Sequence, residues 1–194
     1  MISLKCSANT ISAMNVLGLV GSPRRGGNTD VLVDEILGGA KNAGCTVEKV
    51  YLYPARIEAC IDCKTCKKGT YQCILKDDMQ TLYPKLEDAD AIVFGTPLYW
   101  YGPSAKMKLL QDRLRPYIAS GRLKGKRAVL VVPSEEGEDA CIHAVGMFSL
   151  SFHYLGVDLA GILLPKASDL GEVKSQPDVR AEARKIGEKL KRSA

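Results

Sequence analysis

The stretch that most constrains the fold is residues 16–30, VLGLVGSPRRGGNTD. Val16, Leu17, Leu19 and Val20 form a short apolar run closed by turn residues, the pattern of a parallel strand covered on both faces. Gly21, Gly26 and Gly27 then permit a tight turn. Ser22, Asn28 and Thr29 offer short polar side chains beside two cations, Arg24 and Arg25. A helix opening directly after a strand presents unpaired N–H groups and a positive dipole end, which together suit a phosphate. The loop carries neither GxxxxGK[ST] nor GxGxxG, so a nucleoside triphosphate and a dinucleotide are not the first expectations. Taken alone, the loop is equally well a capped helix with solvent-facing arginines.

The rest of the chain alternates in the same way. A helix is expected over about 29–43, with Leu32, Ile36 and Ala40 recurring on one face, Asn28 or Thr29 as its cap and Gly44 at its end. Residues 46–52 alternate and are β-branched, giving a second strand. A helix resumes near Asp77 or Asp78, and Pro84 is expected to bend or divide it. AIVFGT (91–96) is a third strand, and Ser104 caps a helix carrying Met107, Leu110 and Leu114 up to Pro116. RAVLVV (127–132) is a fourth strand, followed by a helix over about 139–155 with Ala140, Ala144, Met147 and Phe148 inward. A fifth strand spans 157–164, a loop 165–177, and a last helix about 178–190. Five strands alternating with helices imply a doubly wound parallel sheet. Ligands of such sheets sit beyond the carboxyl ends of the strands, where the strand order switches. With the order 2-1-3-4-5, the loops after strands one, three and four adjoin one crevice.

The loop after strand three, PLYWYGP (97–103), holds the sole Trp. Leu98, Tyr99, Trp100 and Tyr101 suit a flat ligand that is apolar on its faces and polar at its edge. A hydrophobic plug or a subunit interface is the other reading of these aromatics. Ser134 opens the polar loop after strand four.

The seven cysteines include four within one short stretch, Cys60, Cys63, Cys66 and Cys73, spaced C-x2-C-x2-C-x6-C. They lie in an insertion, residues 54–76, where a plain α/β chain would begin its next helix. Two successive x2 spacings resemble the start of a bacterial ferredoxin run, whereas structural zinc sites more often pair separated knuckles. A four-iron cluster, a zinc site, and thiols or redox disulfides without metal all remain open. Lys64, Lys67 and Lys68 either offset the thiolate charge and receive an acidic electron carrier, or form a solvated loop. Cys6, Cys45 and Cys141 read as small core or surface residues.

The totals fit one domain: 194 residues, 46% hydrophobic and 25% charged, with a net charge of +5. Residues 1–15 are read as an N-terminal extension, through an upstream start or as an arm that docks on a partner subunit, and 16–194 as the domain. The dispersed positive charge has no nucleic-acid motif behind it. No run reaches the roughly 18 apolar residues of a membrane span, and no secretory core opens the chain. A cytoplasmic protein without membrane or nucleic-acid partners is expected.

GSPRRGGNT, CIDCKTCKKGTYQC with DDM behind it, and GTPLYWYGPSAKMKLLQDR together resemble the NADPH-dependent FMN reductase family, and within it the iron-sulfur flavoprotein branch. The resemblance covers residues 16–190 and leaves the N-terminal extension outside. It implies a flavodoxin-like fold, bound FMN, and homodimers or homotetramers. For the branch it implies a 4Fe-4S cluster on Cys60, Cys63, Cys66 and Cys73, with electrons passed from ferredoxin to small acceptors. It assigns Ser22, Arg24, Asn28 and Thr29 to the FMN phosphate, with Arg25 as the other candidate cation. Pro97, Leu98, Tyr99, Trp100, Tyr101 and Gly102 fall to the ring and ribityl, and Ser134 to the far edge. The chemistry is then borne by the flavin and needs no catalytic side chain. His143 and His153 are expected to be structural or exposed, and Asp112-Arg113 to form an ion pair at a helix end or interface. Nothing in the chain singles out the reductant, NAD(P)H included. Two other functions stay open: a cluster-free NAD(P)H-dependent FMN or quinone reductase, and a flavodoxin-like electron carrier.

Overall fold

Five parallel strands make the sheet: β1 (Asn15–Val20), β2 (Thr46–Tyr51), β3 (Ala91–Gly95), β4 (Arg127–Val131) and β5 (Asp158–Leu163). Their spatial order is β2-β1-β3-β4-β5, the flavodoxin-like arrangement expected from the alternation. This computed structural model describes residues 13–191. The helices are α1 (Asn28–Asn42), α2 (Met79–Asp88), α3 (Ala105–Asp112), α4 (Pro116–Ser120), α5 (Ile142–Leu155) and α6 (Pro177–Glu188).

The apolar runs of the central strands serve two cores at once. Leu17 and Leu19 of β1 join Ile92 and Phe94 of β3 on the face covered by α2, α3 and α5. Val16 and Val20, with Ala91 and Val93, face α1 and α6. Successive side chains of a strand point to opposite faces, so an unbroken apolar run is what a doubly covered strand requires. Phe94 centres an aromatic cluster with Phe148 and Phe152 of α5, at centroid distances of 6.0 and 4.9 Å. Met14 is also buried in this structure, so the packed domain begins two residues before residue 16. The remaining N-terminal residues of the expected extension, Cys6 among them, lie outside the described residues, except for Ala13.

Several boundaries shift for identifiable reasons. Gly27, not a polar side chain, is the N-cap of α1, because the Asn28 amide is engaged elsewhere. Helix α2 runs through Pro84 without dividing. The helix expected up to Pro116 stops at Asp112, and Pro116 starts α4 instead, the N-terminal position where proline's missing N–H costs nothing. Ser104 does cap α3, accepting from the Met107 N–H at 3.3 Å. Both histidines, on α5, are exposed. Among the described residues, no helix is long and apolar enough to cross a membrane.

The α1–α6 contact carries a testable pH signature. Glu35 of α1 accepts from Arg180 at 2.7 Å and from Arg184, both on α6. Burial alone would raise the Glu35 pKa, but the two guanidinium groups together hold it below its usual value. A carboxylate depressed in the folded state adds stability above its unfolded pKa of about 4, and loses it as pH falls through the folded value. Stability should therefore be flat near neutrality and fall below about pH 4, with Glu35→Gln less sensitive to acid than the parent. Urea titrations at stepped pH check this; identical acid slopes in both proteins would refute it.

Candidate functional site: a cleft at the carboxyl edge and a cradled cysteine loop

The loops after β1, β3 and β4 converge on a cleft of about 210 Å³. The first loop contributes Ser22, Arg24, Asn28 and Thr29 to its lining, the second Pro97, Leu98 and Tyr99. Ser134 and Glu135 come from the third. A second hollow of about 210 Å³ shares Leu98, Ser134 and Glu135 with the first, and extends it to Trp100 and Tyr101. One end of the combined groove therefore has helix N–H groups and a guanidinium, and the other has aromatic walls.

Within the first loop, Ser22 Oγ accepts from the Arg24 N–H at 3.2 Å, which bends the chain before α1. The Gly26 N–H bonds Asp30 Oδ2 at 2.7 Å. Asp30 places a carboxylate close to a site suited to anions, but Lys49 lies 3.0 Å away and also meets Asp34 at 2.6 Å. Burial pushes the Asp30 pKa up; the Gly26 N–H and Lys49 outweigh it and hold it low. The two arginines separate: Arg24 lines the cleft, while Arg25 stacks 3.4 Å over the Tyr51 ring. Arg25 is thus committed to a cation–π contact at the edge of the sheet. The Asn28 side chain donates to the Asp169 carbonyl at 2.8 Å and accepts from the Val173 N–H at 3.2 Å. It lines the cleft while tying down the loop between β5 and α6.

That last loop was expected to be mere connection, yet it forms a wall of the site. Ala167 and Ser168 line the cleft, and the Ala167 N–H bonds the Ser134 carbonyl at 2.8 Å. Ser134 Oγ in turn donates to the Gly137 carbonyl at 2.8 Å and accepts from the Gly137 N–H at 2.9 Å, so the polar loop is folded on itself.

The aromatic loop is a tight hairpin. Leu98 and Tyr99 pair with Pro103 and Gly102, and Trp100 and Tyr101 form the turn with φ of 52° and 61°. Two consecutive left-handed residues define a turn that usually takes Asn and Gly; here it lifts Trp100 to 97% exposure. Leu98 is half-buried against the core. Tyr99 lies beside Tyr53, whose phenol pKa is raised by burial and then by this neighbour.

The cysteine loop leaves the carboxyl end of β2. Cys66 is buried, Cys60 and Cys73 are half-buried and Cys63 is exposed, all as free thiols. Burial, followed by the Cys73, Cys60 and Cys63 thiols, pushes the Cys66 thiol pKa up; the four sulfurs are thus within electrostatic reach of one another. Among the described residues, however, no group of three or more His, Cys, Asp or Glu side chains is arranged to hold a metal ion. Asp62, Lys64 and Tyr71 have φ of 50°, 62° and 57°. Left-handed non-glycine residues are uncommon, and such strain concentrates at ligand sites.

The surroundings hold this loop from outside. Arg115 pairs with Asp62 at 2.6 Å. Gln80 donates to the Cys73 and Leu75 carbonyls at 3.1 and 2.8 Å. Arg113, with its side chain 1% exposed, bonds Asp77 Oδ2 at 2.5 Å, the Glu58 carbonyl at 2.8 Å and Cys73 Sγ at 3.4 Å. This corrects the expectation of an Asp112-Arg113 ion pair: Asp112 pairs with Lys108 at 2.6 Å, and Arg113 turns inward. In donor type and in the cations beside them, the residues fit a thiolate-ligated cluster, and ligation requires the four side chains to draw together.

Residues 14–169 match the family model described as NADPH-dependent FMN reductase. An iron-sulfur flavoprotein of Archaeoglobus fulgidus is 39% identical over 114 residues, which cover 58% of this chain and 51% of that protein, so the match spans about half of that relative's length. An iron-sulfur flavoprotein of Methanocaldococcus jannaschii is 36% identical over 140 residues, covering 71% of this chain and 72% of its own. Among solved structures, an NAD(P)H:quinone oxidoreductase from Methanothermobacter marburgensis superimposes with a TM-score of 0.72 at 21% identity, covering 94% of this chain and 98% of that one; at that identity the likeness speaks for the fold alone. With its strand order, its strand-end cleft and a family match over most of its length, the chain belongs to the NADPH-dependent FMN reductase family.

Proposed function

We propose that this chain is an FMN-dependent oxidoreductase of the iron-sulfur flavoprotein kind. It moves electrons between a donor (ferredoxin or NAD(P)H), a 4Fe-4S cluster and FMN to a small acceptor. The observation that carries the reading is the coexistence, at the carboxyl edge of one sheet, of a phosphate-suited cleft and a strained thiol loop held by two arginines, of which Arg113 is buried. FMN exchanges electrons singly or in pairs and a cluster exchanges them singly, so together they join one-electron to two-electron chemistry.

The residues of the chain bind and orient. Arg24 and the first-turn N–H groups of α1 hold the phosphate, with Ser22 and Thr29 completing its shell. Asn28 acts from behind, by holding residues 167–168 against the ligand. Pro97, Leu98 and Tyr99 support the flat ring, and Trp100, Tyr101 and Gly102 complete the hairpin that shields it from water. Ser134 keeps the facing loop closed. Cys60, Cys63, Cys66 and Cys73 supply the cluster ligands in a cytoplasm that keeps thiols reduced. Ile142, Leu150 and Tyr154 of α5 are 67%, 72% and 71% exposed, a patch suited to a second copy in a homodimer or homotetramer.

Anaerobic purification tests the reading. About one FMN per chain, with iron and acid-labile sulfide near four per chain, is the expected composition. Cys66→Ser should lose the iron and keep the flavin. Arg24→Ala should weaken FMN about 10- to 100-fold, the loss of one charge-assisted bond, and keep the iron. The dispersed thiols of the cysteine loop favour a second reading, a cluster-free NAD(P)H-dependent reductase. Flavin without iron, together with steady NAD(P)H turnover, would establish that reading over the first, and no turnover with any donor and acceptor would leave an electron carrier.

A further inference from the structure

Arg113 is the largest fully buried side chain among the described residues, and its bonding exceeds what an ion pair needs. Asp77 takes the end of its guanidinium, with Oδ2 on Nη1 and Oδ1 on Nη2, the latter at 3.1 Å. Nη2 also reaches Cys73 Sγ. Nε is buried with no hydrogen-bond partner. Nε and Nη2 share one edge of the planar fork, so the edge that meets the Cys73 sulfur carries a further N–H that makes no hydrogen bond among the described residues, while the Tyr83 phenol lies against both the guanidinium and that sulfur. Anchoring the Glu58 end of the cysteine loop accounts for the bonds to Asp77 and to the Glu58 carbonyl, but it does not use the Nε edge. A buried donor left empty is costly; an acceptor at the cysteine site would remove that cost.

We propose that Arg113 is a positioning residue for the cysteine site, holding the Cys73 sulfur with one N–H, offering a second N–H to the bound cluster, and thereby setting the cluster's reduction potential. The inference rests on the iron-sulfur reading. One-electron reduction, by dithionite in a titration, would add one negative charge to a cluster held by the four thiolates. Hydrogen bonds to the sulfurs and a nearby guanidinium stabilise that added charge, and such bonds are among the main determinants of cluster potentials. Asp77 balances the Arg113 charge in both oxidation states, so the N–H···S edge is the differential contribution. Arg113→Lys keeps a cation for Asp77 and removes the fork.

The experiment uses full-length protein, purified anaerobically, with FMN bound and iron and sulfide assayed. In Arg113→Lys, the ratio of oxidised to reduced cluster at a fixed solution potential should rise about tenfold, a lowering of the potential by about 59 mV for one electron. FMN content and melting temperature serve as controls for folding. A second measurement needs no variant: pulsed EPR of the reduced wild-type protein grown on 15N-arginine should show nitrogen coupling to the cluster spin. A wild-type protein that takes up no iron overturns the iron-sulfur reading, and this inference with it. A wild-type cluster with no arginine nitrogen coupling, or with a potential unmoved in a folded Arg113→Lys, overturns the inference alone.

Discussion

Gly187→Ala is expected to destabilise the fold by about 3 kcal/mol, although alanine is the better helix former by about 1 kcal/mol. Gly187 lies in α6 where that helix crosses α1 backbone to backbone. A Cβ at this position would stand 1.9 Å from the Ile36 carbonyl oxygen and 2.8 Å from the Ala40 nitrogen, both main-chain atoms of α1. No rotamer change relieves a clash with a helix backbone, so the helices must separate and reopen the packed seam. Gly39 mirrors it from the other side, its Cβ position 2.1 Å from the Arg184 carbonyl. The neighbouring Gly38 supplies the control. Its Cβ would meet nothing within 4 Å, so Gly38→Ala should follow propensity alone and stabilise by up to about 1 kcal/mol. Opposite signs at Gly187 of α6 and Gly38 of α1, glycines on two helices that pack together, separate packing from propensity. Because α1 opens at the end of the cleft proposed to hold the phosphate, Gly187→Ala should also weaken FMN. Urea unfolding and flavin titration read the two effects, and an unchanged urea midpoint for Gly187→Ala would remove the close-crossing argument.

How much of this was legible beforehand depends on the range over which each signal acts. Strands and helices were readable because burial on two faces writes itself into consecutive residues: Val16 to Val20 and Ala91 to Gly95 are apolar for the same local reason. The first loop was readable because glycines, a serine and an arginine next to a helix start have a short-range meaning. Asn28 was legible as a residue of the cleft but not as a tether of a distant loop. As a residue at a helix start it suggested a cap, but its amide bonds residues 169 and 173, far along the chain. For the same reason the loop at 165–177 carried no signal of its place in the cleft. The turn at Trp100 and Tyr101 was hidden because its residues are not the Asn and Gly that such backbone angles favour. Arg113 was placed in the wrong pair because its partner, Asp77, is 36 positions away, and adjacency to Asp112 was the only evidence on offer.

Asp77→Ala should be comparably damaging, by about 3–5 kcal/mol, because it leaves the buried Arg113 charge without its counter-ion. The Asp77 side chain is 0% exposed and its carboxylate has four bonds to replace. Two come from Arg113, one from the Glu58 N–H at 2.8 Å, and one from the Met79 N–H at 3.1 Å, which starts α2. Burial alone would raise the Asp77 pKa, yet Arg113 and these backbone donors keep it low, so the carboxylate is charged at neutral pH and its loss is an electrostatic one. Coulomb attraction is not the whole cost, since a well-packed apolar pair can replace a buried ion pair at little or no loss. The discriminating variant is therefore the double substitution Asp77→Ala with Arg113→Met, which removes both charges. It should recover part of what Asp77→Ala loses, and the remainder measures the backbone donors at Glu58 and Met79. In the single variant the Glu58 end of the cysteine insertion loses its anchor, so loop cleavage by a protease should accelerate even where the sheet remains intact. Equilibrium unfolding and limited proteolysis under anaerobic conditions supply both readouts. A loss below about 1 kcal/mol in Asp77→Ala, the range of an exposed pair, would mean that water or a rearranged carboxylate satisfies Arg113, and that the buried pair does not hold the insertion in place.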